Sequence, residues 1–111
     1  MIWNNILSND QLALIIKNSY NVHQLIFKHS TRCSISSMAK NRLESQWDFN
    51  ENEITPNYLD LLTHRHVSNE IATLFNIEHE SPQIILVKNG VCIYHASHSD
   101  IRVADIKLQI Q

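Results

Sequence analysis

Only one glycine occurs in the 111 residues, and its setting constrains the fold more than any other feature. Gly90 follows Asn89 and stands between two segments rich in apolar and β-branched residues, Gln83-Ile84-Ile85-Leu86-Val87-Lys88 and Val91-Cys92-Ile93-Tyr94-His95-Ala96-Ser97. Asn-Gly tolerates positive φ at both central positions of a two-residue turn, so this pattern predicts an antiparallel hairpin. The same scarcity of glycine excludes the Gly-rich loops that bring backbone amides against nucleotide phosphates.

Upstream of the hairpin, strand and helix patterns alternate. Ser8-Asn9-Asp10-Gln11 has the form of a capping box, with Leu7 and Leu12 at staple positions. Leu12, Ile15 and Ile16 follow at helical spacing, which predicts a helix from about Asp10 to Ser19. Val22 to Lys28 reads as a buried strand that runs into the polar cluster His29-Ser30-Thr31-Arg32. Beyond Cys33, the residues Ile35, Met38, Ala39, Leu43 and Trp47 define one face of an amphipathic helix that begins at or beside the cysteine. Pro56 reads as a break, Tyr58 to Leu62 as a second strand, and Val67, Ile71, Leu74 and Phe75 as the face of a third helix. After the hairpin, Ser99-Asp100 opens a short last helix over Ile101 to Gln109. The order α-β-α-β-α-β-β-α predicts an α/β fold with a four-stranded mixed sheet and helices on both faces, the thioredoxin-like plan, in one domain over residues 1–111.

Composition narrows the function. Apolar residues are 43% and charged residues 18% of the chain, enough for a core at this length. Nine basic and eleven acidic residues give a net charge of -2. No basic run offers a footprint for nucleic acid or anionic lipid, so neither a nucleic acid nor a membrane is expected as partner. The apolar run Leu12 to Ile16 is far shorter than the roughly 20 residues that span a bilayer. No signal-peptide pattern opens the chain, and a cytoplasmic protein is expected. Two cysteines, Cys33 and Cys92, lie too far apart in sequence for a Cys-x-x-Cys site. The pairs His64-x-His66 and His95-x-x-His98 bring no third ligand by sequence, so no metal and no bound cofactor are expected.

The topology directs attention to Cys33. In this plan the first predicted strand ends at Cys33 and the third begins after Pro82, antiparallel to it, which brings the two residues to one edge of the sheet. A thiol at the first turn of a helix faces unpaired N–H groups and the positive end of the helix dipole, and both favour thiolate over thiol. Arg32 adds a cation, and an available thiolate is the species that attacks a disulfide sulfur. The motif Cys33-Ser34-Ile35-Ser36 has serine where a dithiol motif has its second cysteine, which excludes a dithiol cycle within it. Cys92 follows the hairpin turn, about 20 Å along the strand from that edge, and reads as a small core residue. The last predicted strand returns to the edge at Ser97, His98, Ser99 and Asp100, where these residues can line a groove.

Four stretches together resemble the monothiol bacilliredoxin family: His29-Ser30-Thr31-Arg32-Cys33-Ser34-Ile35-Ser36, Tyr58-Leu59-Asp60-Leu61, His79-Glu80-Ser81-Pro82-Gln83, and Lys88-Asn89-Gly90 through Ser97-His98. The likeness spans about Val22 to Ile101. It implies a thioredoxin-like fold and a thiol-disulfide oxidoreductase that removes bacillithiol, a low-molecular-weight thiol, from mixed disulfides on client proteins. Its partners would be those bacillithiolated clients and the free thiol, which serves as cosubstrate. By the resemblance, Cys33 is the nucleophile, Pro82 is a cis-proline facing it, and Ser81 offers backbone hydrogen bonds to an extended substrate. Thr31, Arg32, Ser34, Ser36, His98, Ser99 and Asp100 complete the expected substrate site. One departure is Ser34, where the commoner family motif reads Cys-Pro-Ile-Ser; proline there would fix the first helical turn.

Two other classes of function fit the same chain. Monothiol glutaredoxins include proteins that hold an iron–sulfur cluster between two protomers with one cysteine each. A thioredoxin fold can also serve as a redox sensor or adaptor without turnover, since fold alone does not fix function.

Overall fold

The computed structural model describes residues 1–111 as a five-stranded mixed sheet flanked by four α-helices. In chain order the elements are β1 (Asn4–Asn5), α1 (Asn9–Asn18), β2 (His23–His29), α2 (Ser34–Gln46), β3 (Ile54–Asp60), α3 (Arg65–Phe75), β4 (Gln83–Lys88), β5 (Val91–Ser97) and α4 (Val103–Ile110). A 3-10 turn, His98–Asp100, joins β5 to α4. The strands lie in the order β1-β3-β2-β4-β5, with β1, β3 and β2 parallel, β4 antiparallel to β2, and β5 antiparallel to β4. No helix is long and apolar enough to cross a membrane.

The sheet has one strand more than the four expected. β1 is two asparagines paired with Asn57 and Tyr58, too short and too polar to give a strand pattern. It is held by Ile6 N–H donating to Tyr58 O and by Asn4 Nδ2 donating to Asn57 Oδ1. Pro56 lies inside β3 instead of breaking the chain before it. Backbone groups of alternate residues face the same side of a strand, and the Tyr58 carbonyl faces β1. The proline nitrogen two residues earlier therefore points to the same outer side, beyond the last β1 pair, where no ladder bond is lost.

The hairpin forms where Asn-Gly predicts it, with φ of 53° at Asn89 and 78° at Gly90. The turn docks on the end of α1, since Asn89 N–H donates to Ser19 O and Gly90 N–H to Ser19 Oγ. A Cβ at position 90 would stand 2.6 Å from the Tyr20 hydroxyl oxygen, so both backbone angle and close approach require glycine there.

Alternation along β2 divides the core. Leu25 and Phe27 join Ala39, Leu43, Ile84, Leu86, Ile101 and Ile106 on the side of α2 and α4. Ile26 joins Leu12, Ile15, Leu59, Val67, Ile71, Ile85 and Val87 on the side of α1 and α3. The inward face of α2 is rotated from the expected one: Ser36, Ala39 and Leu43 are buried, while Ile35 and Met38 are more than half exposed. A buried serine displaces the more apolar neighbours because its hydroxyl has partners inside, as described below. The last helix also starts later than expected, because Ile101 and Arg102 remain extended.

Candidate active site

β2 delivers the chain to the site. Its register sets Lys28 opposite Gln83, so the residues that follow β2 and those that precede β4 meet at one end of the sheet. Cys33 is the N-cap of α2 and is partly exposed. Cys33 N–H donates to Ser30 O, and Cys33 O accepts from Ser37 N–H, which closes the turn before α2 and begins the helix. The Cys33 side chain makes no capping hydrogen bond, so the sulfur is not engaged by its own helix.

Across the edge, the Ser81-Pro82 peptide bond is cis. Pro82 is buried and Ser81 half-buried, and Ser81 Oγ is enclosed without a hydrogen-bond partner. Pro82 O accepts from His98 N–H at 3.0 Å. The turn after β5 therefore arrives beside the proline, with His98, Ser99 and Asp100 exposed. Thr31, Arg32 and Ser34 are exposed around the cysteine. The structure thus gathers Thr31, Arg32, Cys33, Ser34, Ser81, Pro82 and the 98–100 turn at one edge.

Ser36 departs from its expected place in a substrate site, for it has no exposed surface. Its Oγ lies 2.6 Å from His29 Nδ1 and accepts from Ser30 N–H at 3.1 Å, so it ties the cysteine loop from within. His29 is buried against Phe27 and Tyr58, with ring centroids 5.6 and 5.5 Å away. Burial, and then the charge of Lys40, lower its pKa and favour the neutral ring. Hydropathy periodicity gives no sign of this polar pair, because a buried His and Ser satisfied by each other look like loop residues in sequence.

Cys92 is at the other end of the sheet. It pairs with Val87, which faces Gln24 near the start of β2, so the two thiols flank opposite strand ends and do not bridge. A bulge between Leu86 and Val87 turns Cys92 onto the core beneath α1 and α3, while Tyr94 packs on the other face. Burial pushes the Cys92 thiol up, which favours its uncharged form.

A surface cavity of about 430 Å³ is lined by Met1, Ile2, Trp47, Phe49, Ile54 and Pro56. It lies by the start of β3 and away from Cys33. His64 and His66 sit with ring centroids 6.2 Å apart, and no third His, Cys, Asp or Glu side chain joins them in a metal-holding group.

Comparison with solved structures supports the same architecture. A solved structure with a thioredoxin fold superposes with a TM-score of 0.86 at 27% identity, covering 99% of this chain and 95% of that one. Thioredoxin from Malassezia sympodialis gives 0.75 at 17% identity, over 98% and 88% of the two chains. Thioredoxin from Trypanosoma brucei brucei gives 0.75 at 10% identity, over 97% and 87%. These last two bear on the fold alone. The sequence model of the monothiol bacilliredoxin BrxC family matches residues 4–106, a span that includes the cysteine loop, the cis-proline and all five strands. With its thioredoxin fold and a lone cysteine heading α2, the chain belongs to the monothiol bacilliredoxin family and is a thiol-redox protein.

Proposed function

We propose that the protein removes bacillithiol from protein mixed disulfides through Cys33. The Cys33 thiolate attacks the bacillithiol sulfur of a client mixed disulfide. The bond between the two original sulfurs breaks, the client cysteine leaves as thiolate and takes a proton, and Cys33 becomes bacillithiolated. A second bacillithiol thiolate then attacks the bacillithiol sulfur on Cys33. It releases the Cys33 thiolate and forms bacillithiol disulfide, so each turnover oxidises the sulfur of one free bacillithiol as the client sulfur is reduced, and the second sulfur of the product disulfide is the one taken from the client. A dedicated reductase can serve in place of the second thiol.

The observation that carries this reading is the lone cysteine at the start of α2 beside a cis-proline edge, with Ser36 rather than a thiol three residues on. Without a nearby resolving cysteine, the mixed disulfide persists until an external thiol removes it. The backbone of Ser81 is the group through which an extended client strand would bind. Arg32, exposed beside the sulfur, offers a cation to an anionic thiol.

Intact-protein mass spectrometry of the reduced protein exposed to bacillithiol disulfide tests the proposal. One adduct, mapped to Cys33 and released by fresh bacillithiol, is the expected result. No adduct, or an adduct confined to Cys92, refutes it.

A further inference from the structure

Lys28 is among the largest side chains with no exposed surface. It lies on β2, on the face toward α3, and Nζ donates to Ser68 O at 3.3 Å and meets His79 Nδ1 at 3.3 Å. Ser68 Oγ is 3.1 Å from the same Nδ1. None of the ion pairs in the structure includes Lys28, so its charge is buried with neutral partners only. Burial, and then the charge of Arg65, bring its pKa down to about 8. The same burial, with Lys28 and Arg65 as neighbours, lowers the pKa of His79 and leaves Nδ1 available as an acceptor. An apolar side chain would fill this place without the cost of desolvating an ammonium. A lysine here therefore calls for a role other than global stability.

That role is suggested by what His79 belongs to. It sits three residues before the cis-proline, in the segment Ile77–Pro82 that links α3 to β4. Gln83 holds the same segment as well, with Nε2 donating to Glu78 O at 3.0 Å and Oε1 accepting from Glu80 N–H at 3.4 Å. Lys28 and Gln83 are partners on one rung of the β2–β4 ladder. One rung of the sheet thus supplies both ties, and only the Gln83 tie is short-range in sequence.

We propose that Lys28 is a positioning residue for the substrate: through His79, its buried ammonium latches the Ile77–Pro82 loop so that Ser81 and Pro82 stand beside Cys33. The proposal rests on the reading of that edge as the site where the mixed disulfide binds. Lys28 touches neither sulfur nor substrate and acts on affinity through the loop.

The test compares wild type, Lys28→Met, His79→Ala and the double variant, using a bacillithiolated model protein as substrate and hydrogen exchange of the 77–82 peptide as a second readout. In Lys28→Met the thermal midpoint at neutral pH is expected to hold or rise. KM is expected to increase about tenfold with kcat within about twofold, and the 77–82 amides to exchange faster. The double variant is expected to be no worse in KM than Lys28→Met, because both changes break one latch. If Lys28→Met does not fold, His79→Ala alone must show the KM and exchange changes. Unchanged KM and unchanged loop protection overturn the latch. So does a rise in KM that only follows a fallen thermal midpoint. If wild type itself turns over no bacillithiolated substrate, the functional reading fails, and protection of the 77–82 amides still decides whether the latch exists.

Discussion

The backbone N–H of His98 donates to the carbonyl oxygen of Pro82 at 3.0 Å, so the turn that follows β5 is fastened to the cis-proline. Arg42 grips the same turn from α2, with Nη2 donating to His98 O and Nε to Ile101 O, each at 3.2 Å. His98 takes φ of 55°, in the left-handed region, and its N–H and its C=O are both engaged. Arg42→Gln is expected to lower stability by about 1 to 2 kcal/mol through the loss of these bonds. Hydrogen exchange in residues 98–102 should rise with it, and KM for a mixed disulfide should rise severalfold. A variant with wild-type KM and exchange would show that Arg42 does not hold this wall of the site.

The two thiols are expected to react differently. Cys33 is partly exposed with its sulfur free of its own helix, whereas Cys92 packs on the core and donates to Tyr94 O at 3.4 Å. Under limiting iodoacetamide at neutral pH, peptide mapping should find Cys33 labelled first, because burial holds Cys92 in its thiol form. Cys33→Ser should abolish exchange with bacillithiol disulfide, and Cys92→Ser should retain it. Retained exchange in Cys33→Ser would reverse the two assignments.

The parts of this molecule visible in its sequence are those whose residues state their own geometry. Asn89-Gly90 announces the hairpin because few other pairs accept positive φ twice, and Ser8 caps α1 through Gln11 N–H as the capping pattern requires. The edge shared by Cys33 and Pro82 follows from strand order. What escapes is set by partners distant in sequence. Two asparagines become a strand because Asn57 and Tyr58 receive them. α2 turns inward at Ser36 and leaves Ile35 and Met38 outside because His29 and Ser30 hold the serine hydroxyl. Lys28 reads as the polar end of a strand, yet it is buried because Ser68 and His79, forty and fifty-one positions away, accept its hydrogens.

Stability should follow pH in two windows. The pKa values of His23, His29 and His79 are lowered, first of all by burial. Between those folded values and 6.5 the unfolded chain binds more protons, so stability is lost as pH falls below about 6.5. Lys28 titrates at about 8 when folded against 10.5 as its ordinary value. Between these the unfolded chain again holds the extra proton, and stability contributed by this site rises with pH. Burial raises Cys92 above 9.0 and Tyr58 and Tyr94 above 10.0, which opposes the rise from about pH 9 upward. The Lys28 effect is therefore read from pH 8 to about 9, where it should reach on the order of 1 kcal/mol by denaturant titration. Lys28→Met should flatten this segment, and a rise that persists in the variant would assign it to another group.

Ser34 is the first helical residue of α2, exposed and free of side-chain hydrogen bonds, and Cys33 before it has φ of -104° and ψ of 121°. Those angles lie in the extended region that a following proline imposes on its neighbour. The first helical position is also where a missing N–H costs least and a fixed φ is already suitable. Ser34→Pro, which makes the motif Cys-Pro-Ile-Ser, should therefore fit without moving the backbone. It should stabilise the protein by about 0.4 to 1 kcal/mol, through the smaller freedom of the unfolded chain. The start of α2 should become more rigid, with slower hydrogen exchange at Ile35 and Ser36. Thermal unfolding and amide exchange of the single variant measure both effects. A loss of stability would mean that the Ser34 amide or hydroxyl has a partner that the proline removes.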